Sequence, residues 1–187
     1  MQVGDTLWLD VNFADSLADY QTRKRYRVRP QDFSWTTYFA IERLEGIGNL
    51  PTGVANTFQA VAKRGRISIG GSTTGVITLD YDGSHYRGRF GFIPTQRGVV
   101  CMSLVASPPG GTKNYGNINL PFIQLPSGAQ GTRPRAVLAD MLYRINDGKA
   151  NNHDLYSQHT KAFAAQPDIA LSPKLYELES RFTVEVK

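Results

Sequence analysis

The sequence predicts a mainly β chain: an antiparallel β-sandwich of immunoglobulin-like type, with one long loop excursion and one helix in its C-terminal third. Three observations carry that prediction. Short runs of alternating apolar and polar residues recur along the first half; glycine, proline or Asp-Gly turn signals separate them; and the stretch Tyr86 to Ser107 concentrates the strongest strand signal. In that stretch Tyr86, Phe90 and Phe92 share one face while Arg87, Arg89 and Gly91 share the other, the period-2 pattern of a half-buried strand. Pro94 ends it and Gly98 lets the chain turn. Val99, Val100, Cys101, Met102, Leu104 and Val105 then form a more continuously apolar run, which suits a strand near the centre of a sandwich.

From the N-terminus, Leu7, Leu9, Val11 and Phe13 alternate with Trp8, Asp10 and Asn12, and predict a first strand over Thr6 to Phe13. Ala14 to Thr22 reads as a polar connector. In the following RKRYRVRP, Arg25, Arg27 and Arg29 share one face and Tyr26 and Val28 the other. Pro30 removes a ladder donor, so this short strand is expected at a sheet edge. Trp35 to Leu44 is aromatic and β-branched enough to be a third strand. Gly46 to Asn56 is a loop, and Thr57 to Lys63 fits either a short helix or a strand. Arg66 to Ile69 is a short strand, Gly70 to Gly75 a glycine-rich turn, and Val76 to Tyr81 another strand. Asp82-Gly83 suits the positive φ angles of a tight turn, so the strand before it should pair antiparallel with the one beginning near Tyr86.

Residues 108–134 are crowded with breakers, among them Pro108, Pro109, Gly110, Gly111, Pro121, Pro126 and Gly131. Apart from a short strand at Asn119 to Leu125, this is a long excursion. Such excursions either carry a binding surface or cover one end of a domain. Arg135 to Ile145 fits both a helical stripe and a strand alternation, and we read it as strand. Residues 151–165 predict a helix: Asn151 or Asn152 can cap it, Asp154 suits its first turn, and Leu155, His159, Ala162 and Phe163 recur at helical spacing before Pro167. Arg181 to Val186 alternates again and predicts a last strand that pairs back into the core sheet.

The 187 residues fit one domain spanning 1–187, long enough to bury a core without disulfides or metals. A hydrophobic share of 41% with 20% charged residues excludes a disordered chain, and no run reaches the roughly 18 apolar residues of a spanning helix. Cys101 has no partner for an internal disulfide, and inside an apolar strand it reads as a small buried side chain rather than a nucleophile. A strand follows Met1 almost at once, without a charged n-region or apolar h-region. Two expectations follow: a cytosolic protein, or a chain from which an export signal has been removed.

Chemistry-bearing patterns are sparse. Asp147, Gly148, Asn151 and Asp154 match positions 5, 6, 9 and 12 of a calcium-binding loop, which makes Asp147, Asn151 and Asp154 the candidate metal ligands and calcium the one cofactor to weigh. Tyr143 and Ile145 occupy positions 1 and 3, where carboxylates or amides belong, so a turn plus helix cap is the preferred reading. His153 and His159 fall on different helix faces, and His85 lies beside a hairpin. No GxSxG, HExxH, P-loop or dinucleotide fingerprint occurs, so an enzyme would need residues assembled by the fold.

The net charge of +5 directs attention to Arg25, Arg27 and Arg29 as candidate binding residues for an anionic partner. Nucleic acid is not expected, because Tyr26 alternates away from the arginine face instead of offering a stacking platform on it. An anionic polysaccharide or an envelope protein fits better, and a solvated edge strand is the competing explanation. Trp8, Trp35, Tyr38 and Tyr115 are the aromatics to inspect for a flat glycan-binding platform, and the preferred reading of each is a core side chain.

The segments VGDTLWLDVNFADSLAD, RPQDF, FGFIPTQRGVVCMSL, INDGKANNHDL and FTVEV together resemble a group of uncharacterised exported lipoproteins of the Bacteroidetes type. The resemblance covers most of the chain and includes no catalytic motif. It implies a lipid-anchored β domain in the periplasm or at the outer membrane or cell surface, with a signal peptide and lipidated cysteine preceding Gln2 in the precursor. Membrane contact would come only through that anchor, whose cysteine is absent from this sequence. The expected function is a non-enzymatic binding or structural module of the cell envelope; the alternative is a carbohydrate-active or hydrolytic enzyme on the same scaffold.

Overall fold

The computed structural model describes residues 1–18, 23–27, 29–30, 36–44, 58–70, 74–107, 143–160, 173–178 and 180–187. Within them the strands are β1 (Leu7–Ala14), β2 (Ser16–Ala18), β3 (Arg25–Arg27), β4 (Thr36–Arg43), β5 (Phe58–Arg64), β6 (Arg66–Gly70), β7 (Thr74–Thr78), β8 (Asp80–Tyr81), β9 (His85–Pro94), β10 (Gly98–Ser107) and β11 (Arg181–Val186). A 3-10 turn at Ile145–Gly148 and two helices, α1 (His153–Thr160) and α2 (Pro173–Leu178), precede β11.

Tyr86 to Ser107 supplies the central strands, but β9 and β10 belong to different sheets. In the first sheet β9 has β1 along one side, and β5 then β8 along the other. The second sheet runs β11-β10-β4-β7-β6, while β2 and β3 form a separate ribbon; every ladder is antiparallel. Between the two sheets lie Leu9, Val11, Phe58, Phe90 and Phe92 from one side and Phe39, Ile41, Ile77, Val100, Met102, Leu104 and Val186 from the other. Phe39 meets Phe92 edge-on with ring centroids 5.1 Å apart. Each such side chain contributes roughly 1.5–3 kcal/mol on burial, so these pleats decide which faces turn inward. The result is an antiparallel β-sandwich.

The run Val99 to Leu104 is apolar on both faces for a specific reason. Val100, Met102 and Leu104 enter the sandwich core, whereas Val99 and Cys101 enter a second cluster with Leu44, Tyr156 and Tyr176. α1 and α2 therefore cover the outer side of the second sheet, and β10 is buried on both sides.

The single strand expected over Val76 to Tyr81 is divided at Leu79. β7 pairs with β4 and β6 in the second sheet, and β8 pairs with β9 through Asp80↔Arg87 and Tyr81↔Tyr86. The Asp82-Gly83 hairpin thus joins β9 to β8. The chain also changes sheets between β5 and β6, so β6 and β7 form a hairpin that leaves the first sheet at Gly65 and returns at Leu79. Gly65 has φ 82°, its N–H donates to Asp80 Oδ2 at 3.1 Å, and a Cβ there would strike the Thr78 carbonyl and lie 2.9 Å from the Phe90 ring. Only glycine makes this corner.

Four further expectations are sharpened or corrected. The stretch read over Thr57 to Lys63 as helix or strand is strand β5 from Phe58 onward, because Phe58 and Ala60 alternate into the core beside β9; Thr57 lies outside the described residues. The connector Ala14 to Thr22 contains β2, and its partner β3 is short and paired on one side only, an edge strand of the two-stranded ribbon. The helix begins at His153, directly after Asn152, which at φ 60° accepts the Tyr156 N–H on its carbonyl at 3.2 Å and donates Nδ2 to the Thr183 carbonyl at 2.8 Å. The six-residue α2 was not foreseen. The loop at 46–56, the excursion at 108–134, the strand reading of 119–125, most of 135–145, Trp35 and Tyr115 lie outside the described residues. No described helix is long and apolar enough to cross a membrane.

Candidate functional site

The arginine stripe is bonded into the fold. Arg27 donates Nε to Asp15 Oδ2 at 2.7 Å, and Tyr81 donates its hydroxyl to the same oxygen at 2.7 Å. A second guanidinium nitrogen of Arg27 reaches the Gly83 carbonyl at 3.3 Å. Arg25 donates to the Ser16 hydroxyl at 3.0 Å and to the Ser16 carbonyl at 2.6 Å. Asp15 is buried, and the hydrogen bonds from Arg27 and Tyr81, with the nearby charge of Arg29, hold its carboxyl below the ordinary value. Arg27 is accordingly held more firmly protonated by Asp15. Of the three candidates, Arg25 braces the β2-β3 ribbon, Arg27 clamps it to the β8-β9 hairpin, and Arg29 adds charge beside the clamp.

The three calcium-ligand candidates lie on a loop of unusual backbone. Asn146, Asp147 and Gly148 have φ of 51°, 55° and 73°, and Ala150 and Asn152 follow at 49° and 60°. This left-handed turn closes with the Lys149 N–H on the Asn146 carbonyl at 2.9 Å. It is seated by an Arg144–Glu177 ion pair, and the Asn151 carbonyl accepts from the Thr183 N–H at 3.1 Å and the Tyr176 hydroxyl at 2.9 Å. Asp147 is exposed and the Asp154 side chain is wholly exposed. Tyr143, standing where the first ligand belongs, is instead buried in the core with its hydroxyl 2.7 Å from Thr37, and burial pushes its pKa to about 12. Among the described residues no three His, Cys, Asp or Glu side chains are grouped to hold a metal ion.

α1 holds serine, histidine and aspartate in the order of a hydrolase by name but not by geometry. Ser157 Oγ lies 3.3 and 3.5 Å from the two ring nitrogens of His153, beside the imidazole rather than on one lone pair. Asp154 is 3.9 Å from Nδ1, beyond hydrogen-bond range, and points to solvent. The hollow beside it, about 360 Å3 and lined by residues 150–155, is open. The inner side of His153 packs edge-on against Tyr176 at 5.1 Å, and Tyr176 Oη lies 2.6 Å from Thr183 Oγ1. This buried network, with the Cys101 thiol pushed up by burial, fastens the helices to β10 and β11.

The outer face of the first sheet carries an arrangement that sequence reasoning missed. Trp8 is paired with Gly91, and Val61 is paired with Gly91 from the other side. A Cβ at Gly91 would sit 2.7 Å from Thr6, 2.9 Å from Val61 and 3.1 Å from Trp8 Cζ3, so the missing side chain leaves the room in which the indole rests. In the next row Arg89 faces Asp10 on β1, and β5 is bulged between Ala62 and Arg64, so Lys63 and Arg64 both stand opposite Arg89. Lys63 Nζ lies 4.7 Å and Arg89 Cζ 4.9 Å from the Trp8 ring centroid. Arg89 is 3.6 Å from Asp10 and Arg64 3.9 Å from Asp80, while no carboxylate among the described residues pairs with Lys63. The bulge is set by pairing across 25 residues or more of chain, so no local pattern signals it.

These features define an antiparallel β-sandwich carrying a ribbon clamp at one end, a helical layer on one sheet and an exposed cationic row on the other. Comparison with models of known families, with curated proteins and with solved structures finds no match.

Proposed function

We propose that this chain is a non-enzymatic binding module of the cell envelope, built on an immunoglobulin-like sandwich and exported with a lipid anchor. One observation carries the binding part: the buried polar side chains Asp15, Thr37, Ser180 and Thr183 are all bonded within the protein, to Arg27 and Tyr81, to Tyr143, to the Tyr143 carbonyl and to Tyr176 respectively. They serve the scaffold. What remains for a partner is rigid outer surface, where sheet-borne side chains are held in place without further ordering. The envelope location and the anchor rest on the sequence resemblance, and the immunoglobulin-like assignment on the succession of short antiparallel strands in two sheets.

The test has two arms. The purified chain is passed over immobilised acidic and neutral polysaccharides and assayed for release of reducing sugar and for ester hydrolysis. Retention without turnover is expected; turnover that survives Ser157→Ala and His153→Ala points to an enzyme centred elsewhere, and turnover lost in both makes α1 the active site. Metabolic labelling of the native precursor with a radioactive fatty acid checks the anchor, which an unlabelled precursor would refute.

A further inference from the structure

We infer that the outer face of the β1-β9-β5 sheet binds an acidic polysaccharide through Lys63 and Arg89, held over Trp8, and Arg64, which the bulge sets opposite Arg89. This rests on the binding-module reading above and gives it a surface and a ligand class. The β-bulge is the device that builds the site: by setting two β5 residues against one of β9, it gathers three cations where a regular ladder would place two. Trp8, resting over Gly91, holds Lys63 and Arg89 at 4.7 and 4.9 Å from its ring, so the cations are positioned before any ligand arrives. The neighbouring carboxylates Asp10 and Asp80 pair only loosely, at 3.6 and 3.9 Å, on exposed side chains that a ligand anion can displace.

The arrangement favours a chain of acidic units over other anions. Arg87 and Arg89 follow each other on one face of β9, about 6.8 Å apart at two residues' rise, so positive charge continues along the strand. Arg87 lies 3.2 Å from Asp82, which weakens that end and centres the site on the bulge. A nucleic acid would need open aromatic faces for its bases, and the one aromatic among the described outward residues of this sheet already lies under two cations. A membrane surface would call for apolar side chains to insert, and of the large exposed ones among the described residues, Val3, Tyr38, Val61 and Ile69, only Val61 stands on a strand of this sheet.

The experiment measures retention of the whole chain on polyuronate, sulfated dextran, unsulfated dextran, single-stranded DNA and phosphatidylglycerol vesicles at 50 and 200 mM salt. The expected result is binding to the two acidic polysaccharides, falling on the order of tenfold between the two salt concentrations, as two or three released counterions require. Lys63→Gln with Arg89→Gln should weaken it at least tenfold with thermal unfolding nearly unchanged, and Lys63→Arg alone should retain it. Binding that survives the double substitution but is lost in Arg25→Gln moves the ligand to the ribbon, overturning this inference while the binding-module reading stands. Preference for DNA, vesicles or unsulfated dextran overturns the ligand class. Failure of the wild-type chain to bind any probe overturns both.

Discussion

Replacing Tyr176 with phenylalanine tests whether the helical layer is fastened to the second sheet by the hydroxyl network beneath it. Tyr176 and Thr183 are both fully buried, their oxygens are 2.6 Å apart, and Tyr176 Oη is also 2.9 Å from the Asn151 carbonyl. A carbonyl only accepts, so the tyrosine proton goes to Asn151 and the Thr183 hydroxyl donates to the tyrosine oxygen. Tyr176→Phe therefore strands a buried donor on Thr183 and leaves the Asn151 carbonyl with the Thr183 N–H alone. The cost is about 1–3 kcal/mol. At roughly 2–4 °C per kcal/mol for a chain of this size, a loss near ~2 kcal/mol lowers the Tm by about 4–8 °C. Thr183→Val removes the donor and leaves an acceptor that still donates, a smaller loss of about 0.5–1.5 kcal/mol. In the double variant no donor is stranded, so its destabilisation should fall short of the sum of the two by about 1 kcal/mol or more. Urea unfolding of the four proteins, with an unchanged slope, supplies the cycle. Additivity within about 0.3 kcal/mol would refute the shared bond.

Gly91→Ala places a methyl group against Thr6, Val61 and Trp8, so it should cost about 1–3 kcal/mol and shift the Trp8 emission; an unchanged spectrum would show that the indole does not rest on Gly91. Asp82 accepts from the His85 N–H at 2.8 Å, the Ser84 N–H at 3.1 Å and the Ser84 hydroxyl at 3.1 Å, and the two amides chiefly pull its pKa down to about 2. Its stabilisation is complete above the unfolded carboxylate value of about 4 and is lost as pH falls towards 2; a carbon-detected NMR titration placing Asp82 near 4 would contradict this, and Asp82→Ala should remove that part of the acid dependence. The Cys101 thiol, 1% exposed and pushed up in pKa by burial, should resist aromatic disulfide reagents in the native protein and react at once in urea; rapid native labelling would place Cys101 at the surface.

Strand identity was legible wherever one side of a strand meets the core and the other meets water. Leu9 and Val11 alternate with Asp10 and Asn12 because the pleat sends successive residues to opposite faces, and β1, β9 and β11 could be read from that pattern, while β4 was read from its aromatic and β-branched content. β10 was legible for the opposite reason, its continuous apolarity marking burial on both sides. Sheet membership was not, because the corner at Gly65 and the break at Leu79 interrupt the pattern for a single residue each. The fate of the charges was equally hidden. Arg25, Arg27 and Arg29 look alike in a run of five residues, yet Asp15 and Tyr81, brought to Arg27 from 12 and 54 positions away, decide that the middle one is a clamp. Lys63, Arg64 and Arg89 carry no shared pattern in the sequence, and only the bulge in the β5-β9 ladder gathers them, with Lys63 and Arg89 over Trp8. Local pattern records which face of a strand is apolar, since that needs only the residue and its neighbours; which charges meet depends on register between distant strands, and that is set by the fold as a whole.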